Sequence, residues 1–258
     1  QKFLPTTCKT NSSISSLMET TNKKSRTDNI GSSPCRLTSL PKPLLVEIVA
    51  RVASHSVVDL VNVKQCCKVF LNASEDNYVW QQVSLHNFPL TQWLPNVKAL
   101  CFLKRCRESG NVESLYREGL LEFFKTPEGN VNGLQQMKMA AAQGNLDAKY
   151  VYGMVLLCSS DEELRKEGLE YMRFVRKSKC IIKCRSRVQR LLDELWKPNG
   201  LVVRNPTPMC GSKNTCKGWR VKEGVWSFSH DEHDDLTLCE YCRWDYELQF
   251  FYTLLNVP

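Results

Sequence analysis

The chain has 258 residues, a formal net charge of +8 and a hydrophobic content of 42%, which suits one extended domain or two small ones. No apolar run approaches the roughly 18 residues of a membrane span, and no leader with a cleavage site is visible, so we expect neither. The 13 cysteines do not resemble the even-numbered disulfide framework of a small secreted domain, so we expect free thiols and a location in the nucleus or the cytoplasm.

The first segment, residues 1–35, is rich in Ser, Thr, Asn and Lys and shows no hydrophobic period. Such a composition cannot bury enough apolar surface to offset the entropy that ordering removes. The sequence therefore predicts a disordered tail.

Residues 36–82 carry a dense helical pattern. Pro41 stands at a point where a first helical turn tolerates proline, because the N–H there has no intrahelical partner to lose. The apolar residues that follow recur at helical spacing, at Leu44, Leu45, Ile48, Val49 and Val52. This spacing predicts a first helix with a broad apolar face.

Two more short helices are expected within the same region. Ser56 with Asp59 three residues later forms a capping-box start for the second helix. The apolar face of the third is predicted at Val63, Cys66, Cys67 and Phe70. Three short helices bury little surface, so their excess apolar side chains either cover a partner or pack on the rest of the chain.

The order of residues between Leu40 and Trp80 resembles the F-box. It runs Leu-Pro-x-x-Leu-Leu-x-Glu-Ile, a polar break, Ser-x-x-Asp-Leu, Cys-Lys-x-Phe and a closing Trp. One departure is Pro43, which stands where the family usually has an acidic or polar residue. We expect this proline to shorten or kink the first turn while leaving the apolar row intact.

The resemblance implies a non-catalytic substrate-recognition subunit of an SCF-type ubiquitin ligase. In that family the F-box docks on a Skp-type adaptor, which a cullin scaffold holds. Carried over residue by residue, the resemblance implies a docking surface of ten side chains. They are Leu40, Pro41, Leu44, Leu45, Ile48, Leu60, Val63, Cys66, Lys68 and Phe70.

The next region, residues 83–200, contains an internal repeat. The segment that begins Gly110-Asn111 aligns with the segment that begins Gly144-Asn145, an offset of 34 residues, and both carry a Tyr and then a Gly at matching positions. A period near 34 is typical of helical solenoids built from helix–turn–helix units. Asn111 and Asn145 are expected to be N-caps, and Ser160 with Glu163 forms a capping box for a later helix.

Glycines recur inside these predicted helices, at Gly119 and Gly153 and, with an offset of 35 residues, at Gly133 and Gly168. A glycine inside a helix costs about 1 kcal/mol relative to alanine, so we expect close helix–helix approach in compensation. Residues 140–153 resemble the Sel-like branch of the tetratricopeptide class. Such a unit either holds a peptide on its surface or stiffens the spacing between its neighbours, and the sequence leaves both open.

Residues 173–190 carry eight basic side chains and no acidic one, which equals the whole formal excess of +8. The segment is consistent with a nuclear-import address or a patch for an anionic partner. A solvated helix face is the interpretation we favour, because no Arg–aromatic platform or recognition-helix pattern accompanies the charges.

The C-terminal region, residues 205–258, places Cys210 and Cys216 ahead of the pair Cys239 and Cys242. A Cys-x-x-Cys lets two thiolates reach one ion from a tight turn, and zinc sites join two such pairs across a longer loop. The sequence therefore predicts a tetrahedral structural zinc site at these four cysteines. The first pair is widely spaced, so unbound structural thiols and a redox pair remain alternatives.

His230 or His233 is an alternative ligand, although both belong to an Asp-rich loop in which we expect them to be exposed to water. The closest overall resemblance is to plant F-box proteins that combine this box with helical repeats and a cysteine-bearing C-terminus. Some relatives end in a MYND-type finger. Its dense run of cysteine pairs is absent here, so its ligands are not carried over.

Together these patterns predict a mainly α fold, with a three-helix F-box, a short helical-repeat array and a small Cys-rich α+β C-terminal lobe. No nucleophile–base pair, phosphate loop or paired-carboxylate site is visible. The expected partners are a Skp-type adaptor, a cullin scaffold and a protein substrate. The alternative is a basic zinc-containing nucleic-acid binder that uses Arg185, Arg187 and Arg190.

Overall fold

The computed structural model describes residues 40–90, 97–195, 199–211 and 239–257. All regular secondary structure in these ranges is helical, which confirms the predicted mainly α fold. The short strands expected in the C-terminal lobe would lie between residues 211 and 239, outside the described residues, so its α+β character stays a prediction. None of the described helices has the length and apolar character that crossing a membrane requires.

The described helices follow one another along the chain with short connections. In order they are α1 (Lys42–His55), α2 (Val57–Cys66), α3 (Lys68–Ser74), α4 (Asn77–Gln82), α5 (Val97–Glu108), α6 (Val112–Phe123), α7 (Val131–Ala142), α8 (Leu146–Leu157), α9 (Glu162–Lys177), α10 (Ile181–Leu192) and α11 (Glu240–Leu255). Contacts divide the chain into two compact units. The first is Gln1–Asn87 with Gln92–Ser114, and the second is Phe88–Thr91 with Leu115–Pro258.

In the first unit, α1 packs against α2, α3 and α4. The side chains of Val49, Ala53, Leu60 and Val79 are buried between these helices. The expected shortening by Pro43 is wrong, because α1 already begins at Lys42. Proline is tolerated there, since the first-turn N–H groups have no intrahelical acceptor.

The predicted second and third helices differ in one respect from those observed. The hydroxyl of Ser56 accepts a hydrogen bond from the N–H of Asp59 at 3.1 Å, as the capping pattern predicts. Cys67 is extended, with φ of −163°, and it ends α2 where a continuous third helix was expected. Val63 and Cys66 therefore belong to α2, and Phe70 belongs to α3.

A single asparagine joins the end of α4 to the start of α6 within the first unit. The side-chain amide of Asn111 donates to the carbonyl oxygens of Trp80, Gln81 and Val83 at 2.8–3.0 Å. Its amide oxygen accepts from the N–H of Ser114 at 2.9 Å, which confirms the predicted N-cap. Asn111 is buried, and its bonds to Trp80 and Val83 are buried with it.

In the second unit the recurring glycines face each other in pairs. A Cβ on Gly133 would lie 2.3 Å from the backbone nitrogen of Phe123 and 2.7 Å from the carbonyl oxygen of Gly119. A Cβ on Gly168 would lie 2.9 Å from the carbonyl oxygen of Gly153. The close approach predicted from the sequence is confirmed at both α6–α7 and α8–α9.

The caps of the repeat helices agree with the sequence in part. Asn145 caps α8 by accepting from the N–H of Ala148 at 2.8 Å, as predicted. The predicted capping box at Ser160 is wrong. Asp161 caps α9 instead, and its carboxylate accepts from the N–H groups of Glu163 and Leu164, a stronger charge-assisted bond at the positive end of the helix.

Helix α11 completes the second unit. It contacts α8 and α10 and buries Trp244, Phe251 and Leu255. The ring of Phe251 meets that of Tyr150 edge-on at 6.5 Å. The last helix of the C-terminal region is therefore part of the same core as the repeats.

Candidate functional site

Large apolar side chains are exposed on the helices of the first unit. Leu44 and Ile48 lie one turn apart on α1 and are 52% and 39% exposed. We call these two residues the apolar ridge. Val58 on α2 and Val69 and Leu71 on α3 are also exposed. Several exposed large apolar side chains on one small helical unit are typical of a protein interaction site.

The ten side chains implied by the F-box resemblance fall into three groups. Those exposed to solvent are Pro41, Leu44, Ile48, Cys66 and Lys68. Those partly buried are Leu40, Val63 and Phe70. Leu45 and Leu60 are buried within the unit, so in this arrangement they support the surface from beneath instead of facing a partner.

Polar groups border the apolar ridge. Arg51 donates from its Nε to the carboxylate of Glu47 at 2.8 Å, and both residues lie on α1 beside Ile48. This hydrogen bond, together with one from the hydroxyl of Tyr78, holds the pKa of the Glu47 carboxyl below its usual value. An apolar centre with a polar rim is the ordinary composition of an interface.

Not all charged side chains of the basic segment, residues 173–190, are exposed to solvent. Arg185 and Glu247 are 1% and 0% exposed and form a buried ion pair between α10 and α11. The Nε of Arg185 donates to Glu247 at 2.9 Å, and the Tyr150 hydroxyl donates to the same carboxylate at 2.6 Å. Burial, followed by the charge of Glu247, raises the pKa of Tyr150 well above its ordinary value, so this hydroxyl keeps its proton.

Two other arginines of the segment also form ion pairs within the protein. Arg187 donates to Asp147 at 2.7 and 3.0 Å. Arg173 donates to both oxygens of Glu240 at 2.6 and 3.0 Å. The alternative of a nucleic-acid binder relied on Arg185, Arg187 and Arg190, and the structure places the first two in ion pairs within the protein.

Three of the four predicted metal ligands come together. The sulfur atoms of Cys210, Cys239 and Cys242 all lie within 4.8 Å of one another, and those of Cys239 and Cys210 are 3.7 Å apart. Zinc–sulfur bonds of about 2.3 Å in a tetrahedron place neighbouring sulfurs roughly 3.8 Å apart. The described part of the chain thus contains a three-thiol cluster that could hold a metal ion. Cys216, His230 and His233 lie outside the described residues.

The backbone around the thiol cluster is held by hydrogen bonds. Cys239 is the N-cap of α11, and its sulfur accepts from the N–H of Cys242 at 3.3 Å. The carboxylate of Asp245 accepts from the N–H groups of Met209 and Cys210 at 2.7 and 3.0 Å. Asp245 therefore ties the irregular segment that ends at Cys210 to the helix that carries the other two thiols. No sequence pattern marks Asp245 as part of the cluster, although it lies one turn after the Cys-x-x-Cys.

Comparison with known families finds a match between residues 85–193 and the family described as plant tetratrico peptide repeats. This stretch contains α5 to α10, and the match confirms the predicted helical repeats. No solved structure matches the chain.

Two curated proteins of Arabidopsis thaliana are similar to the chain. One, named as an F-box protein (At1g67623), is 30% identical over 173 residues, which cover 65% of this chain and 57% of that protein. The other, F-box protein At2g35280, is 32% identical over 137 residues, which cover 53% of this chain and 81% of that protein. The chain thus spans little more than half the length of the first relative.

Proposed function

Since the chain belongs to the plant F-box proteins, we propose that it is a substrate-recognition subunit of an SCF-type ubiquitin ligase. Helices α1–α3 dock on a Skp-type adaptor held by a cullin scaffold, and the subunit itself performs no catalysis. The second unit, with its helical repeats and C-terminal helix, binds the protein substrate. The site of action is the nucleus or the cytoplasm.

The apolar ridge is the observation that supports docking. Leu44 and Ile48 are exposed although the same helix buries the residues that follow them, Leu45 and Val49. Fully burying a leucine or isoleucine side chain contributes about 1.5–3 kcal/mol. Each ridge residue is about half exposed, so covering it contributes on the order of 1 kcal/mol. The two together correspond to about a 30-fold difference in the dissociation constant.

Binding of the full chain to a purified plant Skp-type adaptor tests this proposal. We expect Leu44→Asp/Ile48→Asp to weaken the complex by at least about 30-fold in biolayer interferometry, since a charge replaces each covered apolar group. The matched control is Met139→Asp/Leu164→Asp, because these side chains are 46% and 39% exposed on α7 and α9. Equal binding by the ridge variant and the wild type, with both folded by circular dichroism, would refute the docking surface.

The free thiols of the described ranges support a reducing compartment, whereas a disulfide bond at Cys101 counts against it. Nine of the ten cysteines in the described ranges are free, and Cys101, which is disulfide-bonded, is the exception. The expectation of free thiols is therefore wrong at that position. Fluorescence microscopy of the tagged full chain in plant cells tests the location, and accumulation in the secretory pathway would contradict it.

We further propose that Cys210, Cys239 and Cys242 hold a structural zinc ion, with Cys216 as the fourth ligand. The sulfur spacing fits the tetrahedral geometry, and the N–H···S bond at Cys239 is suited to a thiolate, which is the form that binds metal. A bound zinc ion would supply folding energy to the C-terminal region. The chain's own contribution is to hold the three sulfur atoms at the start of α11.

Metal analysis of the purified full chain tests this site. We expect stoichiometric zinc in the wild type, loss of zinc in Cys239→Ser, and no change in the control Cys66→Ser, since Cys66 is exposed on α2. Wild-type protein that lacks zinc after purification without chelators would disprove the site. Zinc that persists in Cys239→Ser would do the same, because it would lie elsewhere.

A further inference from the structure

The thiol cluster of Cys210, Cys239 and Cys242 combines one accessible sulfur with two buried ones. Cys210 and Cys242 are 7% and 4% exposed, whereas Cys239, the N-cap of α11, is partly exposed. Oxidation of a cysteine follows the exposure of its sulfur, because the oxidant has to reach it. Cys239 is therefore the member of the cluster that a dissolved oxidant meets first.

A second sulfur lies in contact with that of Cys239. The sulfur atoms of Cys239 and Cys210 are 3.7 Å apart, although the two residues are separated by 29 positions in the chain. A disulfide bond is about 2.05 Å long, so the two sulfurs form one after an approach of less than about 2 Å. Rotation about the Cα–Cβ bonds of the two cysteines moves the sulfurs over such a distance.

The bonds that bring the two cysteines together do not depend on the sulfur of Cys210. The carboxylate of Asp245 accepts from the backbone N–H groups of Met209 and Cys210 at 2.7 and 3.0 Å. Asp245 lies on α11, the same helix that Cys239 caps. The two thiols are therefore held side by side by the backbone, whichever partner the sulfurs take.

We propose that Cys239 is an oxidation site and that a peroxide converts the thiol cluster into a Cys210–Cys239 disulfide. The Cys239 thiolate attacks one oxygen of hydrogen peroxide, the O–O bond breaks, and a sulfenic acid and a first water molecule result. The Cys210 sulfur then attacks the sulfenic sulfur and displaces its hydroxyl group as a second water molecule. The two sulfurs lose two electrons to the peroxide, and a dithiol reductant returns them by thiol–disulfide exchange.

This oxidation regulates the proposed zinc site. Zinc is bound by thiolates, so a cluster whose Cys210 and Cys239 are joined cannot hold the ion, and zinc and the disulfide exclude each other. The loss of zinc rests on the proposed function of the cluster, whereas formation of the disulfide does not. Because Asp245 keeps the segment that ends at Cys210 beside α11, the second unit stays folded when the ion leaves.

Disulfide mapping of the full chain tests the proposal. The reduced chain is stripped of metal with a chelator, treated with hydrogen peroxide and digested without reductant, and mass spectrometry identifies the linked peptides. We expect a Cys210–Cys239 link that dithiothreitol removes. Cys239 should react at least about tenfold faster than Cys158, which is buried and whose sulfur donates to the carbonyl oxygen of Met154.

Two cysteine-to-serine variants provide a matched comparison. Cys210→Ser should abolish the link, and Cys239 should then proceed to sulfinic acid, which dithiothreitol does not reduce. Cys66→Ser removes an exposed thiol of α2 and should leave the Cys210–Cys239 link at the level of the wild type. Circular dichroism establishes that both variants are folded before the peroxide is added.

The proposal is overturned if the wild type links Cys239 to Cys242 or Cys216, or if Cys239 reacts no faster than Cys158. Zinc release from the metal-loaded chain is followed with a chromogenic chelator, and we expect one ion for each disulfide formed. Zinc that stays bound while the link forms refutes the exchange. A reduced wild type without zinc that still forms the link refutes the metal site alone.

Discussion

Replacing Arg185 with Met should destabilise the second unit strongly. The change removes the guanidinium that neutralises Glu247 and leaves a carboxylate that is 0% exposed. Breaking a buried ion pair from one side typically costs about 3–5 kcal/mol, because the remaining charge is uncompensated. Since small domains have a total stability of only about 5–15 kcal/mol, we expect a large fall in the free energy of unfolding.

The double variant Arg185→Met/Glu247→Leu separates the charge from the packing. Replacing a buried pair by apolar residues of similar volume is often neutral or stabilising, so the double variant should recover most of the loss. The matched control is Arg173→Met, because Arg173 also makes a two-bond ion pair with a glutamate of α11, Glu240. That pair is exposed, and exposed pairs contribute about 0–1 kcal/mol.

Urea unfolding followed by tryptophan fluorescence measures these differences, since Trp244 is buried on the same helix as Glu247. The reasoning fails if Arg185→Met loses less than about 1 kcal/mol, which is the loss expected of an exposed pair. It also fails if the single losses simply add in the double variant, because residues in direct contact should couple. Either result would mean that water reaches Glu247.

Two further predictions concern helix contacts and thiols. Gly133→Ala should lower the free energy of unfolding by about 1–3 kcal/mol, because the new Cβ would lie 2.3 Å from the backbone nitrogen of Phe123. Gly211→Ala should be neutral, since nothing lies within 4 Å of its new Cβ. Thermal unfolding compares the two variants, and equal melting temperatures would contradict the close contact at Gly133. Burial raises the pKa of Cys158 and of Cys106 to about 12 from 9.0, so both thiols stay protonated in the fold while the unfolded chain loses their protons. The stability that these thiols contribute should therefore be fully present below pH 9 and decline as pH rises towards 12. Urea titrations of the wild type and Cys158→Ala across that window check it. If the free energy of unfolding falls with pH equally in both, the Cys158 thiol is not a cause.

The helices of the F-box could be predicted because their spacing is a local property of the sequence. Leu44, Leu45 and Ile48 recur at helical intervals, and the structure places them on one helix, α1. The break at Cys67 could not be foreseen, because neither its residue type nor its neighbours disfavour a helix. Which leucine faces the core also depends on the packing of α2 to α4, so Leu44 and Leu45 could not be told apart.

The repeats were visible through their glycines, and the reason is physical. Gly119 and Gly133 are required where two helices nearly touch, and the same requirement returns at Gly153 and Gly168. The burial of Arg185 had no such local sign. Its partner Glu247 is 62 residues away along the chain, and a run of basic residues looks the same whether or not one of them has a distant carboxylate.

The thiol cluster could be predicted in part for a similar reason. Cys239 and Cys242 have the spacing of a metal-binding turn, so their proximity follows from the chain itself. Cys210 joins them through Asp245, which bonds to the backbone of Met209 and Cys210, 36 and 35 residues earlier in the chain. Such a carboxylate–backbone contact leaves no pattern in the sequence.

The buried amide of Asn111 has a consequence for how this protein can be divided. A fragment that stops at Gln82, where the F-box motif ends, keeps the carbonyl groups of Trp80 and Gln81 but loses the donor that satisfies them. It also uncovers the indole of Trp80, which Phe102 of α5 covers edge-on at 5.5 Å. Any transfer of this F-box to another protein, by recombination in a genome or by design, would therefore have to carry α5 and the first turn of α6 along with it.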